Sequence, residues 1–297
     1  METRTKKNQK IHKRVKKVEK NLFWKKIRKI FLFLFFVFIT IVLYAKFIGT
    51  SFIKIHEYSI KDKQLPNSFH GFKVVHFTDL NYGSTIFEEE LEELAQKIND
   101  LTPDLIVFTG NLTKYKYKLS SEDINILTSF LNNITAATGK YIIKGNNDYN
   151  KEFNQIIIKT DFILLDNSYD LIFYKDQNPI LLTGTASLLK EEADIATSLV
   201  YLKENDLFTI SLIHEPDILD EIINNKVNVV LAGHSLLGQI RLPFIGGLYD
   251  FKGSEKYKNS FYDINNTKMY VSSGLGTSFL NLRLLNHPSI NFYRLVN

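Results

Sequence analysis

From residue 73 onward, short apolar, β-branched runs alternate with stretches whose apolar residues recur at three- and four-residue spacing, the pattern of an α/β domain. Strands are predicted at 73–78 (KVVHFT), 104–109 (DLIVFT) and 141–144, separated by helices at 87–100, 121–134 and 152–158. Leu91, Leu94 and Ile98 share one helix face, and Ser120 or Ser121 can cap the second helix. Short strands follow at 163–165, 171–174 and 180–183, then a helix at 193–202, a strand at 207–212, a helix at 217–223 and a strand at 227–231. After Gln239 the pattern turns strand-rich, with strands at 240–242, 268–272 and 289–295. An α/β first half and a more β second half predict two sheets packed face to face under helices.

Upstream, residues 30–45 (IFLFLFFVFITIVLYA) carry no charge, and Phe47-Ile48 extend the run past Lys46. Sixteen helical residues rise about 24 Å, and snorkelling of Lys46 adds the length a bilayer needs. Tyr44-Ala45-Lys46 is a poor signal-peptidase site, so residues 30–48 read as an uncleaved transmembrane anchor. Lys25, Lys26, Arg28 and Lys29 precede the span, which predicts a single-pass plasma-membrane protein with a cytoplasmic N-terminus and an extracytoplasmic body. No adjacent arginine pair marks a twin-arginine export signal. The domains expected are a basic tail (1–29), the anchor (30–48), a connector with a first strand near Tyr58 (49–70), and a folded body (71–297).

Charge is segregated in the same way. Residues 1–29 hold 13 Lys/Arg against 2 acids, and residues 30–297 hold 24 against 30. The basic character belongs to the tail, where it suits anionic headgroups, and the mildly acidic body gives no support for nucleic-acid binding. There is no cysteine, so disulfides, thiolate metal sites and a cysteine nucleophile are excluded.

Chemistry-bearing residues fall where predicted strands end: Asp79-Leu80-Asn81, Gly110-Asn111, Gly145-Asn146-Asn147-Asp148, His214-Glu215-Pro216 and Gly233-His234-Ser235-Leu236. Open α/β sheets put ligands at that edge. Asp79, Asn146, His214 and His234 are the plausible metal ligands, and two imidazoles with carboxylate and amide oxygens suit Mn, Fe, Zn or Ni better than Ca. Singly, each would read as a turn or loop residue; the ordered set carries the signal.

The runs VVHFTDLNYGST, DLIVFTGNL, YIIKGNNDY, SLIHEPD, LAGHSLLGQIRLP and VSSGLGTS resemble the calcineurin-like metallophosphoesterase superfamily, in particular a membrane-associated bacterial branch similar to UDP-2,3-diacylglucosamine hydrolase. The resemblance spans roughly residues 55–297 and implies an α/β fold, a four-layer α-β-β-α sandwich of two mixed sheets. Its motifs are Asp-x-His, Gly-Asp, Gly-Asn-His-Asp, His and Gly-His-x-His. Carried over, Asp79, Asn146, His214 and His234 match ligands, whereas Asn81 and Leu236 stand where histidine ligands are expected. Asn111 replaces the carboxylate that bridges two metals, and Asn147 replaces the histidine that protonates the leaving group.

The resemblance therefore implies that the first metal site keeps only Asp79, while a weak second site on Asp79, Asn111, Asn146, His214 and His234 could take one divalent ion (Mn, Fe or Zn). A two-metal centre is not expected, and no catalytic residue is assigned. The expected function is a pseudo-phosphoesterase binding a phosphate-bearing lipid or cell-envelope precursor at the outer membrane face. The alternatives are a hydrolase with a single or rearranged metal site, for which His76 is one conceivable replacement ligand, and an anchored scaffold acting through its surface.

Overall fold

The computed structural model describes residues 2–297; Met1 and the side chains of residues 2–8, 10 and 11 lie outside the described part, among them the tail's Lys6, Lys7 and Lys10. Residues 1–45 and 46–297 form two compact units. The first is one continuous helix, α1 (Glu2–Phe47), which joins the basic tail and the apolar run without a break. Within it an 18-residue window reaches a mean hydropathy of 2.6, long and apolar enough to cross a membrane. Its Phe31, Phe33 and Phe36 are exposed.

The second unit begins with β1 (Lys54–Lys61), then β2 (Lys73–Phe77), α2 (Glu88–Asp100), β3 (Leu105–Phe108), α3 (Ser121–Asn133), β4 (Gly139–Ile142), α4 (Lys151–Ile157) and β5 (Phe162–Leu164). It continues with β6 (Ser168–Ile172), β7 (Ile180–Gly184), α5 (Ile195–Ser198), β8 (Thr209–Ile213), α6 (Leu219–Ile222) and β9 (Val229–Ala232). A small hairpin, β10 (Arg241–Leu242) and β11 (Gly246–Gly247), precedes β12 (Phe261–Ile264), β13 (Thr267–Val271) and β14 (Ser289–Val296).

Two six-stranded sheets result, ordered β1-β14-β2-β3-β4-β5 and β12-β13-β9-β8-β7-β6. Both are mixed: β14 runs antiparallel to β2 in the first, and β6 and β12 are antiparallel edges in the second. Val74, Leu105, Val107 and Tyr141 of the first sheet pack with Leu182, Ile210, Leu212 and Leu231 of the second, forming the central core. The other face of the first sheet is covered by α2, α3 and α4 through Leu94, Ile98, Leu127 and Phe153. The other face of the second is covered by α5 and α6 through Ile195, Leu219 and Ile222. This is the four-layer α-β-β-α sandwich the sequence predicts, with each fully buried aliphatic or aromatic side chain stabilising it by about 1.5–3 kcal/mol.

Local signals explain the helices. Ser120 accepts a hydrogen bond from the Asp123 amide, and the Asp123 carboxylate accepts from the Ser120 amide, a capping box that starts α3. Three glutamates fill the first turn of α2, where the helix dipole favours them. Two predicted helices differ. The helix expected over 193–202 is the short α5 followed by a 3₁₀ turn at Tyr201–Lys203, and that expected over 217–223 opens as a 3₁₀ turn at Pro216–Ile218 before α6. Pro216 supplies the fixed φ that starts the second.

Candidate metal centre

Five strands deliver the predicted residues to one edge. β2, β3 and β4 of the first sheet lead to Asp79, Asn111 and Asn146, and β8 and β9 of the second lead to His214 and His234. Seven of the eight positions singled out (Asp79, Asn81, Asn111, Asn146, Asn147, His234 and Leu236) line one cleft of about 360 Å³, together with Tyr115, Phe251 and Ser278. The eighth, His214, is fully buried and packs edge-on against His234 with ring centroids 5.0 Å apart.

The backbone here is unusual. Asp79, Asn81, Asn111, His234 and Leu236 have φ of 49°, 46°, 61°, 64° and 47°, in the left-handed region. That conformation costs an ordinary L-residue about 1–2 kcal/mol, is tolerated best by Asn and Asp, and suits leucine poorly. Glycines let the loops close on one another. A Cβ on Gly145 would lie 2.5 Å from the Asn111 nitrogen and 2.7 Å from a His214 ring carbon. Gly145→Ala should therefore lower stability by about 1–3 kcal/mol in a denaturant melt; an unchanged midpoint would mean that the two loops separate freely.

Hydrogen bonds define what each group offers. Asp79 accepts from the Thr78 hydroxyl (2.9 Å), the His234 amide (2.7 Å) and the Asn111 side-chain NH₂ (2.9 Å). The same NH₂ donates to the Asn146 side-chain oxygen at 3.2 Å, while the Asn111 oxygen accepts from the Asn147 amide at 3.0 Å. Because a backbone N–H only donates, that last contact sets the orientation of the amide. Buried Asp148 accepts from the amides of Asn111, Leu112 and Gly145 and so ties two loops together. Burial pushes its carboxyl up to about 6, against the pull of those donors.

The imidazoles are arranged differently. His214 Nδ1 donates to the Thr109 carbonyl at 2.5 Å, which leaves Nε2 as a lone pair, buried and without a partner. His234 Nε2 donates to the Lys252 carbonyl at 2.8 Å, which leaves its Nδ1 as the acceptor. Burial and the neighbouring His214 hold His234 below its ordinary pKa, so it stays neutral, the form that binds metal. One ligand atom from each of His214, His234 and Glu215 lies within 4.8 Å of the others. Glu215 is fully buried and also accepts from the Ser187 hydroxyl and the Leu188 amide.

The donor set fits one divalent ion on the histidine side. On the other side the Asn111 NH₂ faces Asp79, and buried Leu236 offers no ligand. His76 does not reach the cleft: it is buried in the inter-sheet core, bonded to the Thr109 hydroxyl, and burial lowers its pKa to about 3. Sequence reasoning names Glu215 beside His214 at a strand end without assigning it as a ligand, and it passes over Arg283. The Arg283 side chain is fully buried and donates to the carbonyls of Ser273, Gly274 and Gly276 beneath Asp79.

A two-sheet sandwich with His, Asp and Asn at its strand ends defines the class: the chain belongs to the calcineurin-like phosphoesterase family, which matches residues 72–272. It is 31% identical over 256 residues to the uncharacterized metallophosphoesterase YkuE of Bacillus subtilis (strain 168), covering 85% of this chain and 88% of that protein. It is 26% identical over 290 residues to the UDP-2,3-diacylglucosamine pyrophosphatase LpxG of Chlamydia muridarum (strain MoPn / Nigg), covering 78% and 87%. A transmembrane protein with metallophosphoesterase domain from Danio rerio is 24% identical over 265 residues, covering 80% of this chain and 56% of its own length.

Proposed function

We propose that this chain is a membrane-anchored phosphoesterase homologue whose hydrolysis is lost or severely weakened, and which acts by binding at the outer face of the plasma membrane. The observation that carries this reading is the Asn111 amide, whose NH₂ bridges Asp79 and Asn146 at 2.9 and 3.2 Å. Hydrogen bonds there do the work that a bridging carboxylate and two cations do in a two-metal hydrolase, without the charge that activates water. Asn147 has no proton to give a leaving group near neutral pH, a loss of about 10²–10⁴ in rate. The lysines before the apolar run support a cytoplasmic N-terminus. The name of the LpxG relative supports a lipid-linked phosphate or envelope precursor as the ligand.

His214 and His234, with Asn146 and Asp79 nearby, would hold a single Mn, Fe or Zn ion, which when bound supplies Lewis-acid polarisation of a phosphoryl oxygen. Titrating the full chain in detergent with Mn²⁺ and with Zn²⁺ by calorimetry should give no more than one weakly bound ion, lost in His234→Ala. Two ions bound at about micromolar affinity would overturn the reading.

The second reading is a hydrolase with a rearranged single-metal site. The unpartnered Nε2 of His214 and the proximity of Glu215 favour it. It requires metal-dependent turnover of a phosphodiester that disappears in both His234→Ala and Glu215→Gln.

A further inference from the structure

At the tip of the β10–β11 hairpin, Phe244 is fully exposed and Ile245 is 72% exposed. The neighbouring 279–285 loop adds exposed Phe279, Leu280 and Leu285. The two segments form one surface: the Arg241 amide donates to the Leu284 carbonyl at 2.9 Å, and Tyr249 packs edge-on against Phe279 with centroids 5.2 Å apart. Through Phe251, 4.9 Å from Tyr249 and 5.8 Å from His234, this apolar surface runs into the cleft. Exposed apolar side chains grouped on one surface, rather than scattered singly, mark an interaction site.

Lysines line an adjoining cavity that shares Tyr115, Asn146 and Asn147 with the cleft. Lys114 donates to Asn281 of the apolar loop at 3.2 Å, and exposed Lys116 and Lys118 follow it. None of the three forms an ion pair among the described residues. They sit on a body whose overall charge is negative, with 24 basic residues against 30 acidic over 30–297. Protein–protein interfaces are depleted in lysine, whereas lipid-binding surfaces combine aromatic and aliphatic tips with lysines for anionic headgroups.

We propose that the Phe244–Ile245 tip and the 279–285 loop insert into the interfacial layer of an anionic bilayer, with Lys114, Lys116 and Lys118 on the headgroups, so that the cleft opens onto lipid headgroups. Only residues 48–53 separate α1 from β1, a reach of about 20 Å, which would keep the body close to the bilayer that α1 spans. This rests on the anchored reading above but not on the state of the metal site.

The absence of native cysteine makes a single label unique. Ile245→Cys in the full chain, carrying an environment-sensitive fluorophore, is reconstituted into phosphatidylcholine vesicles containing about a quarter phosphatidylglycerol and a doxyl-labelled lipid. Emission should fall about twofold or more, and should recover when Lys114, Lys116 and Lys118 are changed to glutamate. A label at Ile158→Cys, 84% exposed at the end of α4, should stay unquenched. Quenching at Ile245 no greater than at Ile158 overturns the proposal, as does a blue shift without doxyl quenching, which would mean that protein covers the tip. A third label at Leu34→Cys in α1 tells the failures apart: quenching there with none at Ile245 rejects the docking and keeps the anchor, and quenching at neither rejects both.

Discussion

Restoring Asn81, Asn147 and Leu236 to histidine and Asn111 to aspartate in one chain should create two-ion binding and raise phosphodiester hydrolysis by about 10²-fold or more. The expectation rests on the frame, since these positions line one cleft, and Asn81, Asn111 and Leu236 keep the left-handed backbone that aims their side chains. Histidine tolerates that conformation better than the leucine now at 236. Asn111→Asp alone should behave differently. It sets a second carboxylate where an NH₂ now lies 2.9 Å from Asp79, so the metal-free variant should melt lower than the parent and recover as Mn²⁺ is added. Calorimetric stoichiometry, turnover and melting temperature together check this. A correctly folded fourfold variant that binds no metal would show that the frame itself, and not only its ligands, has been lost.

Arg283→Ala should cost about 3–5 kcal/mol of stability, the largest loss expected of any single substitution outside the hydrophobic core. The guanidinium is fully buried, and its Nη2 donates to Ser273 and Gly276 at 2.8 and 2.6 Å while Nε donates to Gly276 at 3.1 Å. Burial draws its pKa down to about 9, so it remains charged at neutral pH. Removing it strands those carbonyls in a dry interior and releases the loop on which Gly274 closes against Asp79. Urea titration of the full chain in detergent measures the effect; a loss under about 1 kcal/mol would mean that water replaces the guanidinium without penalty. Arg283→Lys should recover only part, because an ammonium cannot reproduce the planar fork.

How much of this is legible in the sequence depends on the element. β2, β3, β8 and β9 announce themselves as buried β-branched runs, and the site residues follow because they stand where those runs stop. β4 begins two residues earlier than expected because Lys140, a charge that reads as a boundary, is buried with its ammonium on the Leu131 and Ile134 carbonyls. β12 escapes the apolar pattern, although Asn265-Asn266, at φ 50° and 67°, form the two-residue turn that pairs it with β13. In the site, residue types at strand ends are readable. The direction of the Asn111 amide and the reach of Arg283 are not, because they depend on partners more than thirty and about ten residues away, respectively, and spacing alone does not reveal them.

The position of β14 bears on how the molecule is made. It lies between β1 and β2, and among the described residues β1 has no other strand beside it. Synthesis delivers β1 about 230 residues before its only partner, so the first sheet cannot close until residues 289–296 have been translated. Until then the chain carries an open sheet edge, and any chaperone that shields exposed strands would have to act during that interval.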